Sequence, residues 1–455
     1  MPAVPDLAAA GHRQVARDLL DYLDLSPSPW HAVSEAARRL EEAGFARLDE
    51  SQSWRLEPGG AYYLMRGGSA LAAFVAGSAA PAEAGFRLAA AHTDSPGLRV
   101  KPQGEHAKGG LLRLGVEIYG GPILATWTDR ELGLAGRVLV ADPGSRQGVA
   151  GRTVWLRQPL LRLPNAAIHL NREVNNKGLL LDKQEELPLL LAAAAADLPA
   201  GGLLRRLLGE AAGVDAAEIL AFDLCACETQ PAAFWGPEEE FIASGRLDNL
   251  AMCHAALLAI LEARGAARPW TRAAVLFDHE EVGSQSAQGA DGSFLPDLLE
   301  RAHEALGGGR QDGDRCPGGR EAFLRACSRS FLVSADMAHA LHPSYQRLYE
   351  PQHHVALNGG PVIKLNSNLR YTTDGASAAR FQRVCAAAEV PLQRYVHRTD
   401  LPCGTTIGPM ASSRLGIAAV DVGNPMLSMH SIRECAGALD PLWMARALAA
   451  FLQVD

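Results

Sequence analysis

The sequence predicts an α/β fold, a mostly parallel sheet with helices on both faces, split by an inserted β-rich domain. Three observations predict it. Residues 273–277 (AAVLF) are a continuous apolar run, as a strand buried on both faces would be, and 331–335 and 416–422 are further buried-strand candidates. Helical patterns alternate with these runs, which implies helices covering both faces of one sheet. Between residues 103 and 235 the alternation lapses and short β-like runs take over. The boundaries that follow are 1–101 and 237–455 for the two parts of the α/β domain and 102–236 for the insertion. A chain of 455 residues suits two or three domains at roughly 150 residues each.

In chain order, residues 6–25 read as a helix, with Leu19, Leu20 and Leu23 on one stripe and Asp6 as its N-cap. Ser26-Pro27-Ser28-Pro29 breaks it, and residues 30–43 form a second helix stopped by Gly44. Runs at 62–65, 70–76 and 86–91, set between turn signals, are strands. In the insertion, 112–119, 125–129, 136–141 and 153–156 read as β-like, and 188–196 as a helix because Pro188 suits a first helical position. Farther on, Leu247, Leu250, Ala251, Leu257, Leu258 and Leu261 share one face of a helix over 247–264. Residues 296–306 are helical, 307–319 are a polar, glycine-rich loop, and 441–452 close the chain as a helix.

Composition narrows the function classes. Hydrophobic residues at 48% and charged residues at 21% exclude a wholly disordered chain. The balance of 43 Lys+Arg against 51 Asp+Glu gives a net charge of −8, which argues against a nucleic-acid partner. No apolar stretch approaches the ~20 residues that span a bilayer, so no membrane partner is expected. The first 25 residues lack the pattern of a secretory signal. Eight scattered cysteines form no zinc-ribbon or disulfide framework, and Cys225 and Cys227 read as buried strand thiols. A cytoplasmic location follows as the expectation.

The chemistry lies where the predicted strands end, the usual place for a ligand in an open α/β sheet. His92-Thr93-Asp94, Asp278-His279-Glu280-Glu281, Asp336-Met337-Ala338-His339 and Met429-His430-Ser431 follow strands, and Asp248 sits where a loop enters a helix. Histidine with Asp and Glu, and no thiolate, suits catalytic zinc, or cobalt or manganese. Adjacent residues at a strand end point in opposite directions, so one of Glu280 and Glu281 can bind metal while the other serves as a general base. His92 and Asp94, two residues apart, share a face, and Asp94 can hold the second ring nitrogen of His92. Taken singly, each has an ordinary reading: solvated acids for Glu280 and Glu281, a helix cap for Asp248, a turn aspartate for Asp336. His254 reads as a core histidine, and His353 and His354 as loop residues.

The segments AAHTDSPGLRVKP, AIHLNR, SGRLDNL, DHEEVGS, SADMAHALHP, PCGTTIGP and MHSIRE, in this order from residue 90 to 434, together resemble the aspartyl aminopeptidase family. The resemblance implies a dinuclear metallopeptidase-like fold with an inserted dimerisation domain and two Zn2+, for which Co2+ or Mn2+ can substitute. It implies that His92 and Asp336 bind one ion, Glu281 and His430 the other, and that Asp248 bridges them. Glu280 would be the general base, Asp94 would orient His92, and a bridging metal-bound hydroxide would attack the peptide carbonyl. His339, Lys364 and Tyr371 would contact substrate, a peptide with a free N-terminus and an acidic first residue. His169 of the insertion would reach a neighbouring subunit's site in a homo-oligomer, a tetrahedral dodecamer in this family. Around it Leu160, Leu161, Leu163, Ile168 and Leu170 form an apolar run that needs a partner surface. The competing readings are a metal-dependent carboxypeptidase or N-deacylase, separable by free against N-acetylated peptides, and an inert metal-stabilised scaffold, against which the intact Glu280-Glu281 pair counts.

Overall fold

The computed structural model describes residues 5–145, 148–194, 202–265, 267–307 and 319–454. Among these, nine strands form the main sheet, in the order Ala46–Arg47, Ala61–Arg66, Ala70–Val75, Thr271–Phe277, Phe86–His92, Phe331–Ala335, Ala418–Gly423, Val362–Leu365, Gln393–Val396. The centre is parallel, from Thr271–Phe277 through Phe86–His92 and Phe331–Ala335 to Ala418–Gly423. The sheet is mostly parallel, as expected, but mixed, with antiparallel pairs on its flanks. Ala70–Val75 runs antiparallel to both of its neighbours, and Val362–Leu365 antiparallel to Ala418–Gly423. The reason is local on the first flank: Ala61–Arg66 and Ala70–Val75 are joined by a tight turn with Gly67 and Gly68 at positive φ. A parallel pair would need a crossover many residues longer.

Side-chain alternation divides the buried strands between two apolar layers. On Thr271–Phe277, Ala274 and Leu276 join the core under the helices His12–Asp24, Leu247–Ala263 and Asp440–Gln453. Ala273, Val275 and Phe277 join the opposite core, under Phe294–Gly307, Arg320–Ser328 and Ile407–Leu415. The sheet is therefore covered on both faces. The helix Leu247–Ala263, expected to be amphipathic, is buried nearly all round, from Leu247 through Ile260.

A second sheet, six-stranded and antiparallel throughout, takes its strands from between Gly97 and Glu228 and has its own apolar core. Here the sequence reading needs three corrections. The expected helix at 188–196 is a strand, Leu189–Ala193, paired on Leu111–Tyr119, because an open sheet edge outweighs the helix propensity of an alanine run; residues 195 and 196 lie outside the described set. Residues 125–129 fall on a short 3₁₀ turn, Leu124–Trp127, and the helix Gly202–Ala212, burying Leu204 and Leu208, was not foreseen. A small third sheet joins Ala233–Trp235, Phe241–Ser244, Glu434–Gly437, Pro425–Leu427 and Ala338–His339.

At the N-terminus the first helix starts at His12 behind Gly11, and Asp6 instead closes a preceding turn by accepting the Ala8 N–H at 2.9 Å. Most of the loop expected at 307–319 lies outside the described residues. No helix among the described residues is long and apolar enough to cross a membrane.

Candidate metal centre and active site

The parallel centre of the main sheet delivers three of the predicted groups to one end. His92 terminates its strand, Asp336 follows Phe331–Ala335, and Glu280 and Glu281 follow Thr271–Phe277. Asp248 stands at the start of the Leu247–Ala263 helix with a non-helical backbone, and His430 lies on a turn between Pro425–Leu427 and Glu434–Gly437. The divergence of Glu280 and Glu281 has a different origin from the expected one. The strand ends at Phe277, and the pair rides a single 3₁₀ turn, Glu280–Val282, after His279 at φ +64°.

His92 Nε2 lies 3.6 Å from Asp336 Oδ1, 3.7 Å from Asp248 Oδ1 and 3.9 Å from Glu280 Oε2. His430 Nε2 lies 3.4 Å from Asp248 Oδ2 and 3.6 Å from Glu281 Oε2. These spacings are long for hydrogen bonds, but they suit ligands shared by a metal: two donors each about 2.0–2.1 Å from a tetrahedral ion sit roughly 3.3 Å apart. Three groups of three could each hold an ion: His92–Asp248–Asp336 and Asp248–Glu281–His430, which share Asp248, and His92–Glu280–Glu281. Asp248 Oδ1 is buried without a hydrogen-bond partner among the described residues, an acceptor that a cation would satisfy.

Electrostatics point the same way. Burial first, then the carboxylates of Asp336, Asp94 and Asp248, push Glu280 up to about 8 against the pull of His92. Burial, then Asp248, holds Glu281 well above the usual carboxylate range. Burial alone would lower His430, yet Asp248 and Glu281 outweigh it and raise it to about 10. So many acids with so few cations make a site short of positive charge, which is what divalent ions supply.

Asp94 is buried beside His92, but its backbone carbonyl takes Nδ1 at 3.0 Å while its carboxylate stands 3.3 Å away. The carboxylate has closer partners. It accepts the N–H groups of Glu280 and Glu281 at 3.1 Å each and the Tyr119 hydroxyl at 2.7 Å. Sequence reasoning missed Tyr119 and also Glu434. Glu434 is buried and accepts the Asp248 N–H at 3.0 Å and the His430 N–H at 2.8 Å, tying the backbones of two candidate ligands together. Its signal was present in the segment MHSIRE, of which only the histidine was taken.

A cavity of about 410 Å³ opens on the cluster, lined by His92, Asp248, Glu280, Glu281, Asp336 and His430 together with Met337, His339, Lys364, Tyr371, Thr405 and Thr406. Lys364 is buried, with Nζ 3.3 Å from Asp336 Oδ2 and 5.1 Å from the centre of the Tyr371 ring. Burial, then the Lys364 charge, lowers His339 to about 4, so its imidazole is neutral. Of the predicted residues, Asp94 lies buried behind the cavity wall, and His169 is not brought to the cavity by this chain. It stands exposed on a turn beyond the strand Val149–Leu161. Of its apolar neighbours Leu161 and Leu163 are buried inside their own sheet's core, contrary to expectation, while Ile168 and Leu170 are exposed. His254 is the core histidine it was read as, bonded to Asp18 at 2.6 Å.

The family of aminopeptidase I zinc metalloproteases, M18, matches residues 22–452. The chain belongs to family M18. It is 46% identical over 442 residues to the probable M18 family aminopeptidase 2 of Pseudomonas paraeruginosa, covering 96% of this chain and 98% of that protein. The corresponding protein of Streptomyces coelicolor is 44% identical over 438 residues, covering 96% and 97%. Among solved structures, Ape4 in complex with Nbr1 superposes with a TM-score of 0.90 at 38% identity, over 97% of this chain and 86% of that one. Chaetomium thermophilum mApe1 does so at 0.86 and 32%, over 97% and 98%. An M18 aminopeptidase is a zinc metalloprotease acting at the amino end of peptides, which sets aside the carboxypeptidase and N-deacylase readings.

Proposed function

We propose that this M18 aminopeptidase works with two zinc ions and removes acidic N-terminal residues, aspartate and glutamate. The observation that carries the reading is Asp248, whose two carboxylate oxygens face two different histidines, His92 at 3.7 Å and His430 at 3.4 Å. A residue so placed would bridge ions held by His92 and Asp336 on one side and Glu281 and His430 on the other. Bound there, zinc would act as a Lewis acid and lower the pKa of water.

The chain's own residues do the rest. Glu280, inside the cavity and within reach of neither histidine's hydrogen bond, takes the proton of the attacking water and hands it to the leaving amine. Asp94 fixes that carboxylate's backbone through the Glu280 N–H, and so acts on the base as well as on His92. Neutral His339 can donate a hydrogen bond to the carbonyl oxygen as it gains charge. Lys364, a buried cation at the cavity wall beside Tyr371, supports the preference for an acidic side chain.

The insertion, residues 102–236, is read as the subunit-contact domain, with His169 serving a neighbouring site. The exposure of Leu170 at 84% beside it and of Leu180 at 85% in the same domain supports this, as does the dodecamer formed by mApe1 of S. cerevisiae, 26% identical with a TM-score of 0.83 over 97% of each chain. Free thiols at all the described cysteines accord with a cytoplasmic home.

The test is a panel of aminoacyl-anilides and short peptides, free and N-acetylated, assayed with metal-depleted and zinc-reconstituted protein. Turnover restored by two equivalents of zinc, highest for free Asp and Glu termini, is expected. Full activity with one equivalent would overturn the two-ion reading, and a preference for neutral termini the acidic one.

A further inference from the structure

The six-stranded unit reaches into the metal centre of its own chain. Its strand Leu111–Tyr119 ends with the Tyr119 hydroxyl on Asp94 Oδ2 at 2.7 Å. The Arg99 guanidinium lies over the face of the Tyr119 ring, 3.9 Å from its centroid. The chain then turns at Gly120, whose φ of +66° disfavours any side chain, and a Cβ there would lie 3.1 Å from the Glu281 Cβ. Next, the Gly121 carbonyl meets His430 Nδ1 at 3.1 Å, and the Ile123 N–H donates to the His430 carbonyl at 2.9 Å. Thr126 Oγ1 accepts the Ile432 N–H at 3.1 Å. Residues 119–126 thus hold His430 by ring and backbone and back Glu281 directly.

We propose that this arm is the positioning element for the ion site of Glu281 and His430, so that metal capture there depends on the six-stranded unit being docked. The inference rests on the two-ion reading above. A carbonyl only accepts, so the contact with Gly121 requires hydrogen on Nδ1, and Nε2 is the ring nitrogen left to face Asp248 and Glu281, where a bound ion would replace its proton. The two histidines differ in how much else holds them. The His92 side chain is 1% exposed at the end of a central strand, whereas that of His430 is 30% exposed on a turn at φ +68°. The His92 site is therefore built by the main sheet, and the His430 site is completed by the arm.

Two variants of the full chain test this, Gly120→Val, which drives a side chain at Glu281, and the near-isosteric Thr126→Val, which removes the acceptor for Ile432. Metal-free protein is titrated with Co2+ and followed by visible absorption and by metal content. The native chain is expected to take two ions. Both variants should bind the first with native affinity and spectrum and the second about 10–100-fold more weakly, the scale for losing a ligand's support. Native affinity for both ions in the Thr126 variant, or equal weakening of both ions, would overturn the proposal. A native chain that takes only one ion overturns the two-ion reading itself, and this inference with it.

Discussion

Glu280 and Glu281 are chemically identical and adjacent, so their proposed division of labour rests on where one 3₁₀ turn aims each carboxylate. Both line the cavity, Glu281 with its carboxylate 3.6 Å from His430 Nε2 and Glu280 with its carboxylate 3.9 Å from His92 Nε2. Glu280→Gln keeps the shape and removes the base. It is expected to retain its metal while kcat falls about 10²–10⁴-fold, the span of general acid–base catalysis; metal analysis beside steady-state kinetics on the same preparation decides it, and near-native turnover would end the role. Asp248 and His430 separate in a second way. Asp248→Ala should weaken both ions and His430→Ala mainly one, as read by metal titration, because a bridging ligand serves two ions and a terminal one serves one. The residues that gather at the cavity were legible in the sequence because His, Asp and Glu directly after apolar strands have little reason to be there structurally. Tyr119 and Glu434 were not, since each acts by a hydrogen bond to a partner far along the chain, a pairing that only the folded arrangement creates.

Among the elements, three helices are fastened by one buried polar knot. Asp18 on His12–Asp24 takes Arg39 Nη1 of Pro29–Glu42 at 2.8 Å and His254 Nε2 of Leu247–Ala263 at 2.6 Å. Burial alone would raise Asp18, but His254 and Arg39 outweigh it and hold it down to about 2, from an ordinary 3.8. A depressed acid contributes stability that is full above 3.8 and lost as the pH falls toward 2. Asp18→Asn should therefore cost about 2–3 kcal/mol near neutrality, the worth of that shift, since Arg39 keeps its second partner Glu35 at 2.8 Å. Hydrogen exchange of the His12–Asp24 amides reads this locally, and the gap between native and variant should narrow as the pH drops through 3.8. A constant gap would mean that the knot acts through packing alone. The central strands and the long helices were legible because apolar runs and helical stripes are local signals. The antiparallel flanks and the strand Leu189–Ala193 were hidden, because strand direction and edge pairing depend on which segment becomes a neighbour.

At the scale of the whole molecule, the chain carries a cavity with a complete set of proposed ligands and a histidine, His169, that lies outside it. Beside His169 in the chain are Ile168 and Leu170, with exposures of 47% and 84%, apolar surface that a second copy would cover. If a partner's His169 completes each site, then activity belongs to the assembly. His169→Ala should lower kcat without loss of metal or of oligomer, and mutations that separate the subunits should produce a similar defect. The decisive measurement mixes His169→Ala with Glu280→Gln under conditions that allow subunit exchange. In a mixed pair, one site has an intact Glu280 from the first chain and an intact His169 from the second; the other site has neither. Half of the randomly formed pairs are mixed, so recovery of roughly a quarter of the native sites is expected at equal amounts. Recovery must also grow with exchange time, which separates it from residual activity of either variant alone. Demonstrated exchange without any gain in turnover would place His169 in its own chain's chemistry or outside the reaction, and the active site would then need no residue from a partner.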